Sequence, residues 1–172
     1  MKASLLLIAS TAALLGACAS QPSGPLASAQ LRATTGNMVS GEVRFSQTEG
    51  RVRVSGEVRG LKPNAAHGFH IHEKGDCSSG DGMSTGGHFN PGAAPHGRHA
   101  MGMHHAGDLP SLQADASGIA NFSFESSTIS IARGVTDIVG KGLIVHRDAD
   151  DYQTQPTGNA GPRLACAVIV RG

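Results

Sequence analysis

Short segments of alternating apolar and polar residues, separated by glycine-rich turns, are the feature that most limits how this chain can fold. The alternation is clearest over residues 40–45 and 51–59, which flank a turn at 47–50 and predict a β-hairpin. Within the second segment, the Ser-Gly pair at 55–56 predicts a β-bulge. Glycine and proline supply 24 and 8 of the 172 residues, which favours many turns and short strands.

Five further segments have the length and apolar content of strands: 29–34, 68–73, 118–125, 142–147 and 164–170. None of these segments is long enough to show a helical period, and residues 129–138 predict only a short helical turn. We therefore predict an all-β fold, a Greek-key β-sandwich or barrel of about eight antiparallel strands. Two long loops, 75–110 and 148–162, interrupt the strands, and loops of that length in a compact domain are usually functional.

The N-terminus has the pattern of a signal peptide. Lys2 gives a basic start, and the apolar stretch at 3–17 is too short to span a bilayer. The sequence Leu15-Gly16-Ala17-Cys18 resembles a bacterial lipobox, which implies that residues 1–17 are removed and that the thiol of Cys18 carries a lipid. An ordinary signal peptide with an incidental cysteine is the alternative.

These features predict three parts of the chain: a signal peptide at 1–17, a lipidated cysteine with a flexible tether at 18–28, and one folded domain at 29–172. Ala19, next to the cysteine, resembles lipoproteins sorted to the outer membrane. We therefore expect a protein of the bacterial cell envelope, in the periplasm, held to the outer membrane by a lipid anchor alone.

Charge and cysteine content restrict the partners and the chemistry of the mature chain. Beyond residue 17 there are 13 basic and 13 acidic side chains, so the net charge is zero and nucleic acid is not an expected partner. Cys77 and Cys166 are the two cysteines left, and in an oxidising compartment they allow one intramolecular pairing. The residues leave open a monomer or a homodimer.

The chain contains nine histidines, and strand parity sorts the first of them. In the predicted strand 68–73, His70 and His72 lie on one face, while Phe69 and Ile71 point into the core. Two imidazoles side by side are half of a metal site. His67 has the parity of the core residues, so we interpret it as structural.

The first long loop adds three more histidines and a carboxylate, His88, His96, His105 and Asp108, at spacings of 8, 9 and 3. Three ring nitrogens and one carboxylate complete a tetrahedral shell of the kind that zinc accepts, with no position left for water. Such a site would be structural and would order a glycine-rich loop. His146, at the end of the predicted strand 142–147, can join His70 and His72 only through the fold.

Several segments together resemble the copper/zinc superoxide dismutases, in the right order over residues 29–172. They are Gly68-Phe-His-Ile-His72 with Gly75-Asp-Cys77, Gly86-Gly-His-Phe-Asn-Pro91, His105-Ala-Gly-Asp-Leu109, His146 with Ala149-Asp-Asp151, and Gly158-Asn-Ala-Gly-Pro-Arg-Leu-Ala-Cys166. The resemblance implies superoxide as substrate, with a copper ion and a zinc ion as cofactors. It assigns copper to His70, His72, His88 and His146, and zinc to His88, His96, His105 and Asp108, so that His88 bridges the two ions.

The resemblance also implies roles around the metals. Asp150 would link His70 to His96, and such partners fix ring orientation. Arg163 would guide the superoxide anion above copper, which makes Arg163 and His88 the expected catalytic residues. Cys77 and Cys166 match the internal disulfide of the family. Compared with the eukaryotic enzymes of the family, the segment from Cys77 to His88 is longer and the segment after Asp151 is shorter. In both respects the chain resembles the bacterial branch of the family.

Two other functions compete with this interpretation. A cluster of soft ligands, His99, Met101, Met103 and His104, fits a copper-binding or metal-buffering envelope lipoprotein. A zinc hydrolase would need an open zinc position and a general base, and the acids Glu73 and Asp76 are more simply polar residues at a strand end. Consumption of superoxide separates the enzyme from the buffer.

Overall fold

The computed structural model describes residues 24–172, so the predicted signal peptide, Cys18 and the first part of the tether lie outside the described residues. Within that range the chain forms ten β-strands and two short 3-10 helices, which confirms the all-β prediction. None of the helices in residues 24–172 is long and apolar enough to cross a membrane. The strands are β1 (Leu26–Ala33), β2 (Ser40–Thr48), β3 (Arg51–Arg59), β4 (Ala66–His67), β5 (Phe69–His72), β6 (Leu112–Gln113), β7 (Ala120–Ser126), β8 (Gly142–His146), β9 (Arg163–Val168) and β10 (Val170–Arg171), and the helices are Met83–Thr85 and Gly134–Thr136.

Most of the strands form one antiparallel sheet in the order β5, β8, β9, β1, β2, β3, β7, with β10 also paired to β1. Strands distant in the chain are neighbours in the sheet, as the Greek-key prediction requires. β4 and β6 pair separately. Phe69 of β5 contacts Phe122 of β7 with ring centroids 5.4 Å apart, so side chains from the two ends of the sheet meet across the core. The sheet is therefore curled into a barrel.

The barrel interior is filled by aliphatic side chains from almost every strand. Val43, Val54, Phe69, Ile71 and Leu143 are among its fully buried members. This agrees with the predicted parity of β5, because Phe69 and Ile71 lie in the core. Both long loops leave the barrel near β5 and β8, the first over residues 73–111 and the second over 147–162. The fold thus places the histidine-rich loop beside the histidines of β5.

Some details of the strands differ from the sequence prediction. β1 begins at Leu26 rather than at residue 29, because the preceding residues also pair with β2. The predicted bulge at residues 55–56 is wrong: β2 and β3 pair without a register shift from Ser40 to Thr48. Gly56 instead allows a close approach, since a Cβ there would overlap the carbonyl oxygen of Glu42. The irregularity lies between β8 and β9, at Val145 and His146.

Candidate metal centre

Strand pairing and a returning loop bring the histidines together. β5 carries His70 and His72 and pairs with β8, which ends at His146. The first long loop returns to β5 twice, through isolated bridges that pair His72 with His88 and His70 with Asp108. Main-chain bridges to β5 therefore bring residues that are far apart in the sequence close together in space.

Glycine makes the second of these returns possible. The Ile71 N–H donates to the carbonyl of Gly107 at 2.9 Å, and the Phe89 N–H donates to the carbonyl of Ile71 at 2.8 Å. A Cβ on Gly107 would overlap the Ile71 carbonyl oxygen. The loop can approach β5 this closely only because residue 107 has no side chain.

Four buried histidines form the first group, with one potential ligand atom from each within 4.8 Å of the others: His70, His72, His88 and His146. One ring nitrogen of each has no hydrogen-bond partner among residues 24–172: Nδ1 of His70 and Nε2 of His72, His88 and His146. A buried polar atom without a partner costs free energy, so four in one place need an explanation. A cation bound by these lone pairs supplies one, and imidazole is a ligand that copper and zinc both accept.

The second group consists of His88, His96, His105 and Asp108, whose potential ligand atoms also lie within 4.8 Å of one another. Oδ1 of Asp108 lies 2.8 Å from Nδ1 of His88, 3.1 Å from Nδ1 of His96 and 3.2 Å from Nδ1 of His105. His88 belongs to both groups, facing the first with Nε2 and the second with Nδ1. Three nitrogens and one carboxylate oxygen fit a tetrahedral zinc ion.

The second nitrogen of each ring decides which nitrogen is left to bind a cation. Nδ1 of His72 donates to the carbonyl of Gly86 at 2.9 Å, and Nδ1 of His146 donates to the carbonyl of Gly161 at 3.0 Å. Because a carbonyl oxygen can only accept, both nitrogens carry hydrogen and the opposite Nε2 keeps its lone pair. The protein thus selects the tautomer that a metal ligand needs.

The carboxylate of Asp150 connects the two groups by bonding to one ring of each. Its Oδ2 accepts from Nε2 of His70 at 2.7 Å, and its Oδ1 accepts from Nε2 of His96 at 2.9 Å. Burial alone would raise the pKa of Asp150, but the hydrogen bonds from His70 and His96 outweigh burial and hold that pKa below its usual range. One ionised carboxylate therefore orients a ring of each group.

Burial keeps three rings of the first group neutral, those of His72, His88 and His146. It lowers the pKa of His88 to about 4 and that of His146 to about 3, and it holds the pKa of His72 well below its usual range. His96, in the second group, differs. Burial would lower the pKa of His96, but Asp108 and Asp150 raise it to about 9, so a metal ion there replaces a proton.

Arg163 lies at the rim of the first group, because it opposes His146 in the pairing of β9 with β8. Its half-buried guanidinium donates through Nη1 to the carbonyl of Gly82 at 2.6 Å and to Oγ1 of Thr85 at 2.8 Å. Nη2 donates to the carbonyl of Gly86 at 2.7 Å. Three acceptors on one loop fix the planar group in a single orientation.

A disulfide joins Cys77 to Cys166 across 89 residues. It connects the start of the first long loop to β9, three residues after Arg163. The loop segment that holds the guanidinium is thus covalently attached to the strand that carries it.

The soft-ligand cluster of the first loop is occupied with other contacts. Both ring nitrogens of His99 lie 3.1 Å from carbonyl oxygens, those of Asp108 and Glu125. Nδ1 of His104 donates to the carbonyl of His105, and its Nε2 accepts from the Ala100 N–H. The side chains of Met101 and Met103 are exposed. This arrangement does not favour a copper-buffering site.

Several contacts at the site involve groups that the sequence did not single out. The carbonyls of Gly86 and Gly161 orient the rings of His72 and His146. Every residue type has a carbonyl, so the sequence does not show which one makes such a contact. Nδ1 of His67 donates to the carbonyl of His146 at 2.9 Å, which agrees with its predicted structural role. Gln155 contacts the main chain of His96. The only feature of the sequence that points to Gln155 is its place in the second long loop.

Fold and site together define a β-barrel metalloprotein with two adjacent cation sites that share one histidine. The family model described as copper/zinc superoxide dismutase matches residues 39–169, and the chain belongs to this family. Superoxide dismutases [Cu-Zn] from Paramecium bursaria Chlorella virus 1 and from Deinococcus radiodurans are similar to it. The viral protein is 43% identical over 137 residues, covering 76% of this chain and 72% of its own. The Deinococcus protein is 39% identical over 168 residues, covering 90% and 89%.

Solved structures agree with the barrel. The crystal structure of the clock protein EA4 has a TM-score of 0.77 at 37% identity, covering 88% of this chain and 97% of its own. A double mutant of a SOD-like protein from Bacillus subtilis has a TM-score of 0.73 at 39% identity, covering 83% and 96%. The chain is an enzyme that dismutes superoxide, with copper and zinc as its cofactors.

Proposed function

We propose that the first group holds the copper ion and the second holds the zinc ion. In this assignment His88 would offer Nε2 to the copper ion and Nδ1 to the zinc ion. The observation that carries it is that seven buried ring nitrogens have no partner among the described residues and that all of them except Nε2 of His67 belong to the two groups. Four imidazoles suit copper, whereas three imidazoles and a carboxylate suit zinc.

The residues around the metals bind the substrate and handle its protons. When bound, copper supplies the one-electron exchange by which one superoxide becomes dioxygen and a second, with two protons, becomes hydrogen peroxide. Nε2 of His88 is the atom that can take up a proton and release it toward peroxide, while Nδ1 of the same ring stays with the second group. His72 and His146 keep their lone pairs available because their other nitrogens are bound to carbonyls.

Arg163 attracts and aligns the anion. Although the chain after residue 17 has no net side-chain charge, the two metal sites and this guanidinium concentrate positive charge in one place. Such focusing raises the encounter rate of a small anion, a property for which this enzyme family is a standard example. The bonds from Arg163 to Gly82, Thr85 and Gly86 hold its charge at a fixed angle.

Ligand substitutions with metal analysis test the assignment. We expect His72→Ala and His146→Ala to lose copper and superoxide consumption yet keep zinc, because neither ring belongs to the second group. Asp108→Ala should lose zinc first and make residues 73–111 more sensitive to protease. His104→Ala, beside a proposed ligand, is the matched control and should keep both metals. Full zinc occupancy in Asp108→Ala would contradict the zinc set.

We also propose that the mature protein begins at Cys18 and lies in the periplasm of the bacterial cell envelope, held to the outer membrane by its lipid anchor. The support is the basic start at Lys2, the apolar stretch at 3–17 and the sequence Leu15-Gly16-Ala17-Cys18. A disulfide between Cys77 and Cys166 suits an oxidising compartment.

Fractionation of a Cys18→Ser variant tests the anchor. We expect it to appear as soluble protein or as unprocessed precursor, because a serine cannot carry the thioether-linked lipid. Ser20→Ala, two residues further on, is the control and should fractionate with membranes like the parent. If correctly cleaved Cys18→Ser still fractionates with membranes, the lipid anchor is wrong.

A further inference from the structure

The main chain of His96 is held differently from that of the other proposed ligands. His70, His72 and His146 lie in strands, and His88 and Asp108 form bridges to β5. The His105 N–H donates to Oδ2 of Asp108 at 2.9 Å. His96 lies in the middle of the first long loop, outside the strands and bridges found in residues 24–172.

The side chain of Gln155 supplies what a strand would otherwise supply. The His96 N–H donates to Oε1 of Gln155 at 2.8 Å, and Nε2 of Gln155 donates to the carbonyl of His96 at 3.0 Å. One amide group therefore satisfies both main-chain polar groups of His96, as a neighbouring β-strand does. Gln155 belongs to the second long loop, so this contact joins the two loops.

The segment that carries Gln155 is itself fixed. Oδ1 of Asp151 accepts from the N–H groups of Gln153 and Thr154 at 2.9 and 2.8 Å. The Gly158 N–H donates to the carbonyl of Thr154 at 2.7 Å, and Nε2 of Gln155 also donates to the carbonyl of Gln153 at 3.3 Å. The amide is thus presented to His96 by a closed turn rather than by a free chain.

Two residues of the second loop therefore act on His96 at different points. Asp150 fixes the ring through Nε2, and Gln155 fixes the main chain from which the ring projects. We propose that Gln155 is a positioning residue for the zinc site, which sets the main chain of His96 so that its Nδ1 meets Asp108 and His105 before the ion binds. This inference rests on the zinc role proposed above for His96.

Zinc affinity of copper-free protein tests this proposal, measured by competition with a chelator. Gln155→Glu keeps the size of the side chain but replaces the donor to the His96 carbonyl with an acceptor, and Gln155→Ala removes both bonds. We expect each variant to bind zinc about tenfold more weakly, the usual scale for residues that orient a ligand. Gln153→Glu is the matched control, since it adds the same charge two residues away and should bind zinc like the parent.

A second measurement separates positioning from general stability. Cobalt(II) placed in the zinc site has a visible absorption spectrum that depends on tetrahedral geometry. We expect Gln155→Glu to change that spectrum relative to Gln153→Glu, while the melting temperatures of the metal-free proteins stay alike. Unchanged affinity and spectrum, or an equal loss of melting temperature with and without metal, would overturn the positioning role.

His96→Ala distinguishes the two ways in which this could fail. If His96→Ala loses zinc but the Gln155 variants do not, the positioning role alone is wrong. If His96→Ala binds zinc like the parent, the zinc assignment of His96 is wrong as well.

Discussion

At the scale of single residues, part of the metal centre could be predicted and part could not. Strand parity placed His70 and His72 together and Phe69 and Ile71 in the core, because the period of a strand is fixed by its backbone. The acceptors that select the tautomers are main-chain carbonyls, such as that of Gly161. Every residue has a carbonyl, so residue type contains no signal for which one is used.

Arg163 gives a prediction at this scale that separates charge from geometry. Removing the guanidinium in Arg163→Ala should leave copper and zinc in place, lower the second-order rate by about one to two orders of magnitude and flatten its dependence on ionic strength. Arg163→Lys should keep the ionic-strength dependence and lose part of the rate, because a lysine lacks the planar fork that contacts Gly82 and Gly86. Steady-state superoxide assays over a salt series measure both effects.

The control for this prediction is Arg147→Ala. Arg147 is exposed and paired with Asp148, so its loss removes the same charge without touching the contacts of Arg163. We expect a salt dependence close to that of the parent. The steering role is excluded if Arg163→Ala retains its metals together with the rate and salt slope of the parent.

At the scale of elements, alternation located the long strands well and the short ones poorly. β2 and β3 follow the predicted hairpin, since nine-residue strands show several periods of alternation. β4 and β6 have two residues each and show no period at all. The Ser-Gly pair in β3 predicts a bulge that the structure does not have, because a glycine in a strand also marks close approach of another backbone.

Gly56 provides the test of that corrected interpretation. We expect Gly56→Ala to lower the free energy of unfolding by about 1–3 kcal/mol, because its Cβ would press on the Glu42 carbonyl in the neighbouring strand. Denaturant unfolding of metal-free protein measures the change. Ser55→Ala, one residue earlier in the same strand, should change it by less than about 0.5 kcal/mol. Equal effects at the two positions would refute the close-approach explanation.

At the scale of the whole molecule, two long loops are fixed to one barrel by a covalent bond and by shared side chains. The disulfide spans 89 residues, and Asp150 and Gln155 connect the second loop to the first. The extent of both loops could be predicted from the sequence. The contact between Gln155 and His96 could not, because it depends on where two irregular segments come to lie.

The disulfide gives a prediction for global stability. Replacing both cysteines, Cys77→Ser with Cys166→Ser, should lower the free energy of unfolding by about 2–5 kcal/mol, because the open chain gains conformational freedom when unfolded. Denaturant titration of metal-free protein measures the loss. Reductant should lower the stability of the parent by a similar amount and leave the double variant unchanged. A parent that is insensitive to full reduction would contradict this.

A single main-chain oxygen connects three parts of the chain, since the carbonyl of Gly86 accepts from both His72 and Arg163. Gly86 has φ 74° and ψ −149°, a region that only glycine adopts readily. In a saturation library, position 86 should therefore be as intolerant as the histidines, although it has no side chain. Selection for the contacts of His72 and Arg163 therefore acts on a residue that has no side chain and is required for its backbone angles alone.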